Sequence, residues 1–185
     1  MITPDRPTPA PSSSGPLFPD LTALSLPLGL DGDFEAPHLI VTIDKANPSK
    51  IIGNGYNAQL SPTVSTLVVY DLKPSYVGRT CTLAFHMPAP FDYPALSPVQ
   101  IRSPGGINVS RVNSPVSAQP SANDVVNSTP VGSVPAIEPG HRYNIVSGPC
   151  EAGARLSYQI DSVGGLDMNW FQIVNPPLGP FIMVS

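Results

Sequence analysis

Proline and glycine are so frequent in this chain that they set the first limit on its fold. The 185 residues include 25 prolines and 15 glycines, and these are spread along nearly the whole sequence. Proline inside a helix removes a hydrogen bond and clashes with the preceding turn, and glycine there costs conformational entropy. Because only 12% of the residues are charged while 41% are hydrophobic, the sequence favours short strands and turns around a core.

From residue 38 onward, hydrophobic residues recur with a period of two, which is the pattern of β-strands. In RTCTLAFH, residues Cys81, Leu83 and Phe85 are predicted to point into the core and His86 away from it. The segment VSTLVVYD is apolar on both sides and is predicted to be a central strand. The segment ARLSYQID alternates, which predicts a strand with one solvated face.

The strand candidates predict an all-β fold. About nine or ten short strands, joined by Pro, Gly and Asn turns without intervening helices, indicate an antiparallel β-sandwich or jelly-roll. Residues 1–35 are rich in proline and serine and are predicted to be a disordered or extended lead-in to a single β-sandwich domain, residues 36–185. Prolines are dense near residues 87–139, which predicts a long loop region carrying one or two strands.

Charge and hydropathy argue against several kinds of partner. Nine scattered basic residues and a net charge of -4 leave no basic stripe for a phosphate backbone, so nucleic-acid binding is not expected. The apolar segment LTALSLPLGL is too short to span a bilayer, so no membrane span is expected. The N-terminal MITPDRP lacks the basic region of a signal peptide, which indicates either a cytosolic protein or one whose signal has been removed.

The two cysteines bear on whether the protein is cytosolic or secreted. Cys81 and Cys150 are 69 positions apart, and neither has a second Cys or His at the spacing of a zinc site. A disulfide is the favoured interpretation, and closing so long a loop would stabilise the fold by roughly 4 kcal/mol. Two buried free thiols in a reducing compartment are the alternative.

Motifs that carry catalytic chemistry are absent from the sequence: it has no G-x-S-x-G elbow, P-loop, S-x-x-K or H-E-x-x-H. His38, His86 and His141 have no metal-ligating residue at ligand spacing. Asp161 and Asp167 flank a Gly-Gly turn and would suit a glycosidase if they approached each other, but solubility at a hairpin end explains them equally well. The sequence therefore predicts no catalytic residues, no cofactor and no metal ligands.

Two glycosylation sequons are intact, Asn108-Val-Ser and Asn127-Ser-Thr. In the strand candidate GINVSRV, Asn108 alternates with Ile107 and Val109, so its side chain is predicted to point outward. Asn108 and Asn127 are therefore candidate glycosylation sites in a secreted protein.

The only tryptophan, Trp170, lies in LDMNWFQIV. Alternation places Leu166, Met168 and Trp170 on one face and Phe171 on the other, with a bulge or strand end near Phe171. Trp170 is therefore predicted to anchor the core, and an exposed platform that stacks on sugars is the alternative.

Three segments resemble a known family: PHLIVTIDKANPSKIIGNGYNAQLS, YDLKPSYVGRTCTLAFHMP, and SGPCEAGARLSYQI continuing into LDMNWFQ. They resemble the C-terminal domain of fungal ubiquitin-3-binding proteins of the But2 type. The most specific elements are the Gly-Arg-Thr-Cys run with its Leu-x-Phe, from Gly78 to Phe85, and the Pro-Cys-x-x-Gly segment, from Pro149 to Gly153. The resemblance covers about residues 36–185.

The resemblance implies a small, usually extracellular all-β domain with a cysteine pair and no established catalytic residues. We therefore expect a non-enzymatic module of a fungal secreted or cell-wall-associated protein, with a binding or structural role. Its expected partner is a cell-wall glycan or a protein. A polysaccharide-active enzyme of the fungal wall and an intracellular protein-interaction domain of a ubiquitin-like pathway are the competing hypotheses.

Overall fold

A computed structural model describes residues 29–92, 98–125 and 127–185. Within these ranges the chain forms β-strands and short 3-10 turns but no α-helix, so the predicted all-β class is confirmed. Most of the predicted lead-in, residues 1–28, lies outside the described residues. The strands in chain order are β1 (Asp33–Glu35), β2 (Leu39–Asp44), β3 (Asn57–Leu60), β4 (Val64–Asp71), β5 (Thr80–Met87), β6 (Val99–Ser103), β7 (Gly106–Val112), β8 (Ser128–Val134), β9 (His141–Pro149), β10 (Arg155–Val163), β11 (Asp167–Phe171), β12 (Ile173–Val174) and β13 (Pro177–Val184).

The described strands form three antiparallel sheets. The first sheet has the order β1-β13-β5-β9, with β12 added to β13; the second has the order β2-β4-β10-β7-β8; the third is β3-β11-β6. Buried residues of all three sheets meet in one main hydrophobic core, as expected for a β-sandwich. The strands outnumber the predicted nine or ten because several, such as β1 and β12, are too short for their residues to show an alternation.

The second sheet is covered on both faces. β4 lies between β2 and β10, as its two apolar faces predict. Its outer face is covered by a smaller core in which Leu67 and Val69 pack with Val116 and Val125 from the loop after β7. The predicted solvated face of β10 is therefore only partly solvated, since Ser157 on that strand is 5% exposed.

β5 is also covered on both faces. Leu83 and Phe85 point into the main core as predicted, and Cys81 is half-buried against it. The prediction that His86 points to solvent is wrong, because its side chain is fully buried with its ring edge-on to Phe181. Alternation identifies the two faces of a strand but not which of them the rest of the chain covers.

The proline-dense range from 87 to 139 holds three strands, β6, β7 and β8, rather than one or two. Pro130 lies inside β8. A proline is accommodated there because β8 is at the edge of the second sheet. The backbone N–H that proline lacks is therefore not needed for hydrogen bonds between two interior strands.

Candidate functional site

The outward face of the third sheet carries two exposed aromatic side chains. Tyr56, just before β3, is 66% exposed, and Phe171, at the end of β11, is 42% exposed. Their ring centroids are 5.9 Å apart and the rings are inclined by 45°. Together they form a continuous aromatic surface, whereas large aromatic side chains are usually buried.

Strand β11 positions Phe171 by burying its neighbour. Trp170 is 1% exposed, its ring packs edge-on against Phe85 at 5.4 Å, and its Nε1 donates a hydrogen bond to Oε1 of Gln172 at 3.3 Å. Trp170 is thus a core anchor, as predicted, and the alternative that it forms an exposed platform is wrong. Because successive strand residues point to opposite faces, the same alternation places Phe171 outside.

Side-chain amides surround the aromatic pair. Residues directly opposite in antiparallel strands share a face, and the third sheet pairs Asn57 with Phe171, Gln59 with Asn169, and Asn169 with Gln100. Within the described part of the chain, the amides of Asn57, Gln59 and Gln100 have no hydrogen-bond partner. We call this surface the aromatic–amide face, and it consists of Tyr56, Asn57, Gln59, Gln100, Asn169 and Phe171.

The charged groups beside this face neutralise each other. Nε of Arg102 donates to Oδ1 of Asp167 at 3.0 Å, and Nη1 of Arg102 donates to Oδ1 of Asn169 at 2.8 Å. The hydrogen bond to Asp167 raises the pKa of Arg102. The face therefore offers amide and aromatic groups with no net charge.

Two backbone features hold the face in place. Gly164 and Gly165, both with positive φ, form the turn that carries the chain from β10 in the second sheet to β11 in the third. The backbone N–H of Gln172 donates to the carbonyl oxygen of Tyr56 at 2.8 Å, which keeps Tyr56 beside the end of β11.

Sequence reasoning missed the pairing of Tyr56 with Phe171. The outward orientation of Phe171 was available from alternation, but Tyr56 precedes its strand and has no alternation to orient it. Only the pairing of β3 with β11 brings the two rings together.

A comparison with known protein families identifies the family of this chain. Residues 35–176 match the family model described as the ubiquitin 3 binding protein But2 C-terminal domain. The chain belongs to this family. The match contains the whole aromatic–amide face and both cysteines of this But2 domain. No curated protein matches the chain.

The cysteines of the But2 domain form a disulfide. Cys81, at the start of β5, is bonded to Cys150, just after β9, with Cα atoms 4.8 Å apart. The disulfide interpretation is therefore confirmed, and neither thiol is free to act as a nucleophile.

The structure does not assemble the carboxylate pair considered from the sequence. Asp161 on β10 contacts Lys45 at 3.0 Å together with Ser65 and Gln159, whereas Asp167 belongs to the third sheet and pairs with Arg102. The two carboxylates therefore have separate partners on separate sheets.

The three histidines are also apart. His38 lies 3.3 Å from Asp71, His86 is buried in the first sheet, and His141 stacks on Tyr143. In the ranges that the structure describes, no three His, Cys, Asp or Glu side chains form a potential metal site. None of the described helical segments is long and apolar enough to cross a membrane.

Both sequon asparagines are on the surface. Asn108 on β7 is exposed, as its alternation predicts, and Asn127 is exposed just before β8. Their glycosylation stays a prediction.

Proposed function

We propose that this But2 domain is a non-enzymatic binding module that acts outside the cell, and that its aromatic–amide face binds a neutral polysaccharide of the fungal cell wall. The observation that carries the proposal is the exposed Tyr56–Phe171 pair beside the unpaired amides of Asn57, Gln59 and Gln100. Contiguous exposed apolar surface often marks a binding site.

The chemistry of the face suits a sugar chain. A pyranose ring presents C–H groups on its flat faces and hydroxyls around its rim. The rings of Tyr56 and Phe171 would contact the C–H groups. The unpaired amides of Asn57, Gln59 and Gln100 offer donors and acceptors to hydroxyls, which also donate and accept. The absence of net charge on the face favours a neutral glycan, because an uncharged ligand need not displace an ion pair.

Two of the surface carboxylates are unsuited to acid catalysis. A glycosidase needs one carboxyl group that stays protonated near neutral pH. Hydrogen bonds from Arg155 lower the pKa of Asp71, and hydrogen bonds from Arg111 lower the pKa of Glu151. These two groups are ionised at neutral pH and would be poor general acids.

The disulfide supports an extracellular location. Stable disulfides such as Cys81–Cys150 form and persist in secreted proteins, whereas cytosolic thiols are kept reduced. During secretion, Asn108 and Asn127 would also meet the glycosylation machinery of the secretory pathway.

The description of the family supports a second candidate. It names the family after a ubiquitin 3 binding protein. In this alternative the same exposed aromatic pair would contact a ubiquitin-like protein inside the cell.

Co-sedimentation with insoluble β-glucan, chitin and mannan tests the proposal. We expect one of these polysaccharides to retain the wild-type domain, and we expect Tyr56→Ala and Phe171→Ala each to weaken retention about tenfold. Val77→Ala is the matched control, because Val77 is 77% exposed but lies in the turn before β5.

Three results would count against the proposal. Retention by immobilised ubiquitin but by none of the polysaccharides would favour the protein partner. Full retention of both aromatic variants would exclude this face. Release of reducing ends during the incubation would show that the domain is an enzyme.

A further inference from the structure

A cavity lies on a different part of the molecule, where β7 leads into residues 113–116 beside the start of β10. Its volume is about 630 Å³. This size is in the range of small-molecule sites in proteins. Its walls include Arg111, Glu151, Arg155 and Ser157, while Val112 and Val116 supply apolar surface.

Ser157 lines this cavity and offers it a hydroxyl group. The residue is 5% exposed, and its side chain forms no hydrogen bond with the residues that the structure describes. A hydroxyl can both donate and accept a hydrogen bond. The Ser157 hydroxyl is therefore available to a ligand in the cavity.

Two guanidinium groups on the walls are fixed in orientation. Arg111 binds both carboxylate oxygens of Glu151, and Arg155 binds those of Asp71 at 2.8 and 3.1 Å. A guanidinium has five N–H donors, so each arginine keeps N–H groups that these contacts do not use. Because the ion pairs hold the planar groups in place, little side-chain entropy would be lost when a ligand binds.

The hydrogen-bond donors on the walls identify the ligand class. Arg111 is paired with Glu151 and Arg155 with Asp71, so the two ion pairs carry no net charge. The unused N–H groups and the hydroxyls of Ser114 and Ser157 make the walls richer in free donors than in free acceptors. We propose that this cavity binds a small carboxylate whose uncharged body packs on Val112 and Val116.

A titration followed by NMR tests this site with the full chain. The probes are glucuronate and N-acetylalanine as carboxylates from a sugar and from a peptide, with methyl glucoside and inorganic phosphate for comparison. We expect at least one carboxylate to give saturable shifts of cavity resonances. We expect methyl glucoside to give none and phosphate to bind more weakly. Tighter binding of glucuronate would indicate an acidic sugar as the ligand, and tighter binding of N-acetylalanine would indicate a peptide carboxyl group.

Two variants and one control link the binding to this cavity. We expect Arg155→Gln to weaken carboxylate binding about tenfold, because a charge-assisted hydrogen bond is lost. Ser157→Ala removes only the hydroxyl and should weaken binding several-fold while leaving the Arg155–Asp71 pair intact. Arg79→Gln is the control, because Arg79 pairs with Asp33 outside the cavity.

The proposal would be overturned if neither carboxylate gave saturable shifts, or if methyl glucoside or phosphate bound as tightly. It would also be overturned if folded Arg155→Gln and Ser157→Ala both bound the carboxylate like the wild type. None of these results depends on polysaccharide binding by the aromatic–amide face, so the two sites are tested separately.

Discussion

At the scale of single residues, His86 differs from His38 and His141 in being buried. Its ring is fully buried against Phe181, and within the described residues neither ring nitrogen has a hydrogen-bond partner. Burial, assisted by the positive charge of Arg142, lowers the pKa of His86 from 6.5 to about 4. The native state therefore holds this imidazole neutral over a pH range in which an exposed histidine becomes charged.

The buried imidazole predicts a loss of stability in mild acid. Because the folded pKa lies below the unfolded one, the unfolded state binds the proton first as the pH falls. The contribution of His86 to the free energy of unfolding is fully present above about pH 6.5. It is lost progressively as the pH falls toward 4, by about 3 kcal/mol in total. Urea unfolding at pH 7 and pH 4.5 measures this change.

His86→Leu removes the titrating group, so we expect its free energy of unfolding to fall less between the two pH values than that of the wild type. His141→Gln is the control, because His141 is exposed. The explanation would be refuted if the wild type and His86→Leu lost the same amount.

At the scale of elements, β13 and the end of β11 meet at one glycine. Gly179 has a φ of 101°, and a Cβ atom there would lie 2.0 Å from Oε1 of Gln172 and 2.6 Å from Nε1 of Trp170. Its lack of a side chain therefore makes room for the hydrogen bond between Trp170 and Gln172. The close approach of these elements holds Trp170 in the core beneath the aromatic–amide face.

We expect Gly179→Ala to destabilise the domain by about 2 kcal/mol or more, because it combines backbone strain with steric overlap. Gly148→Ala is the matched control in the same sheet, since a Cβ atom at Gly148 would meet nothing within 4 Å. Thermal and urea unfolding of the two variants measures the difference. Equal stability of both variants would show that Trp170 and Gln172 rearrange without cost.

At the scale of the whole molecule, the disulfide closes a large part of the chain into one loop. The 69-residue separation of Cys81 and Cys150 spans β6, β7 and β8, which contribute to the second and third sheets. It also spans most of β5 and all of β9, which belong to the first sheet. The bond thus restricts the unfolded chain across all three sheets.

We expect reduction of this disulfide to lower the free energy of unfolding by roughly 4 kcal/mol, chiefly because the unfolded chain gains conformational freedom. Guanidinium unfolding with and without a thiol reductant measures the change, and the Cys81→Ala/Cys150→Ala double variant separates loss of the bond from effects of the reductant. An unchanged unfolding midpoint would show that the loop is already restricted in the unfolded state.

The sequence by itself determined the properties that depend on neighbouring residues. Frequent proline and glycine made helices unfavourable. The period of two in hydrophobicity predicted that Leu83, Phe85 and Trp170 point toward the core and Phe171 away from it. The But2 resemblance rested on equally local motifs around Cys81 and Cys150. These properties are encoded within single strands and turns, so they could be read without knowledge of the fold.

Only the tertiary structure decided which outward faces are covered and which distant residues meet. His86 and Ser157 alternate outward, yet both are buried, because other parts of the chain cover those faces. Tyr56 reaches Phe171 through the pairing of β3 with β11, and Arg111 reaches Glu151 across a sequence separation of 40 residues. Both proposed binding sites depend on such long-range contacts, which strand periodicity does not encode.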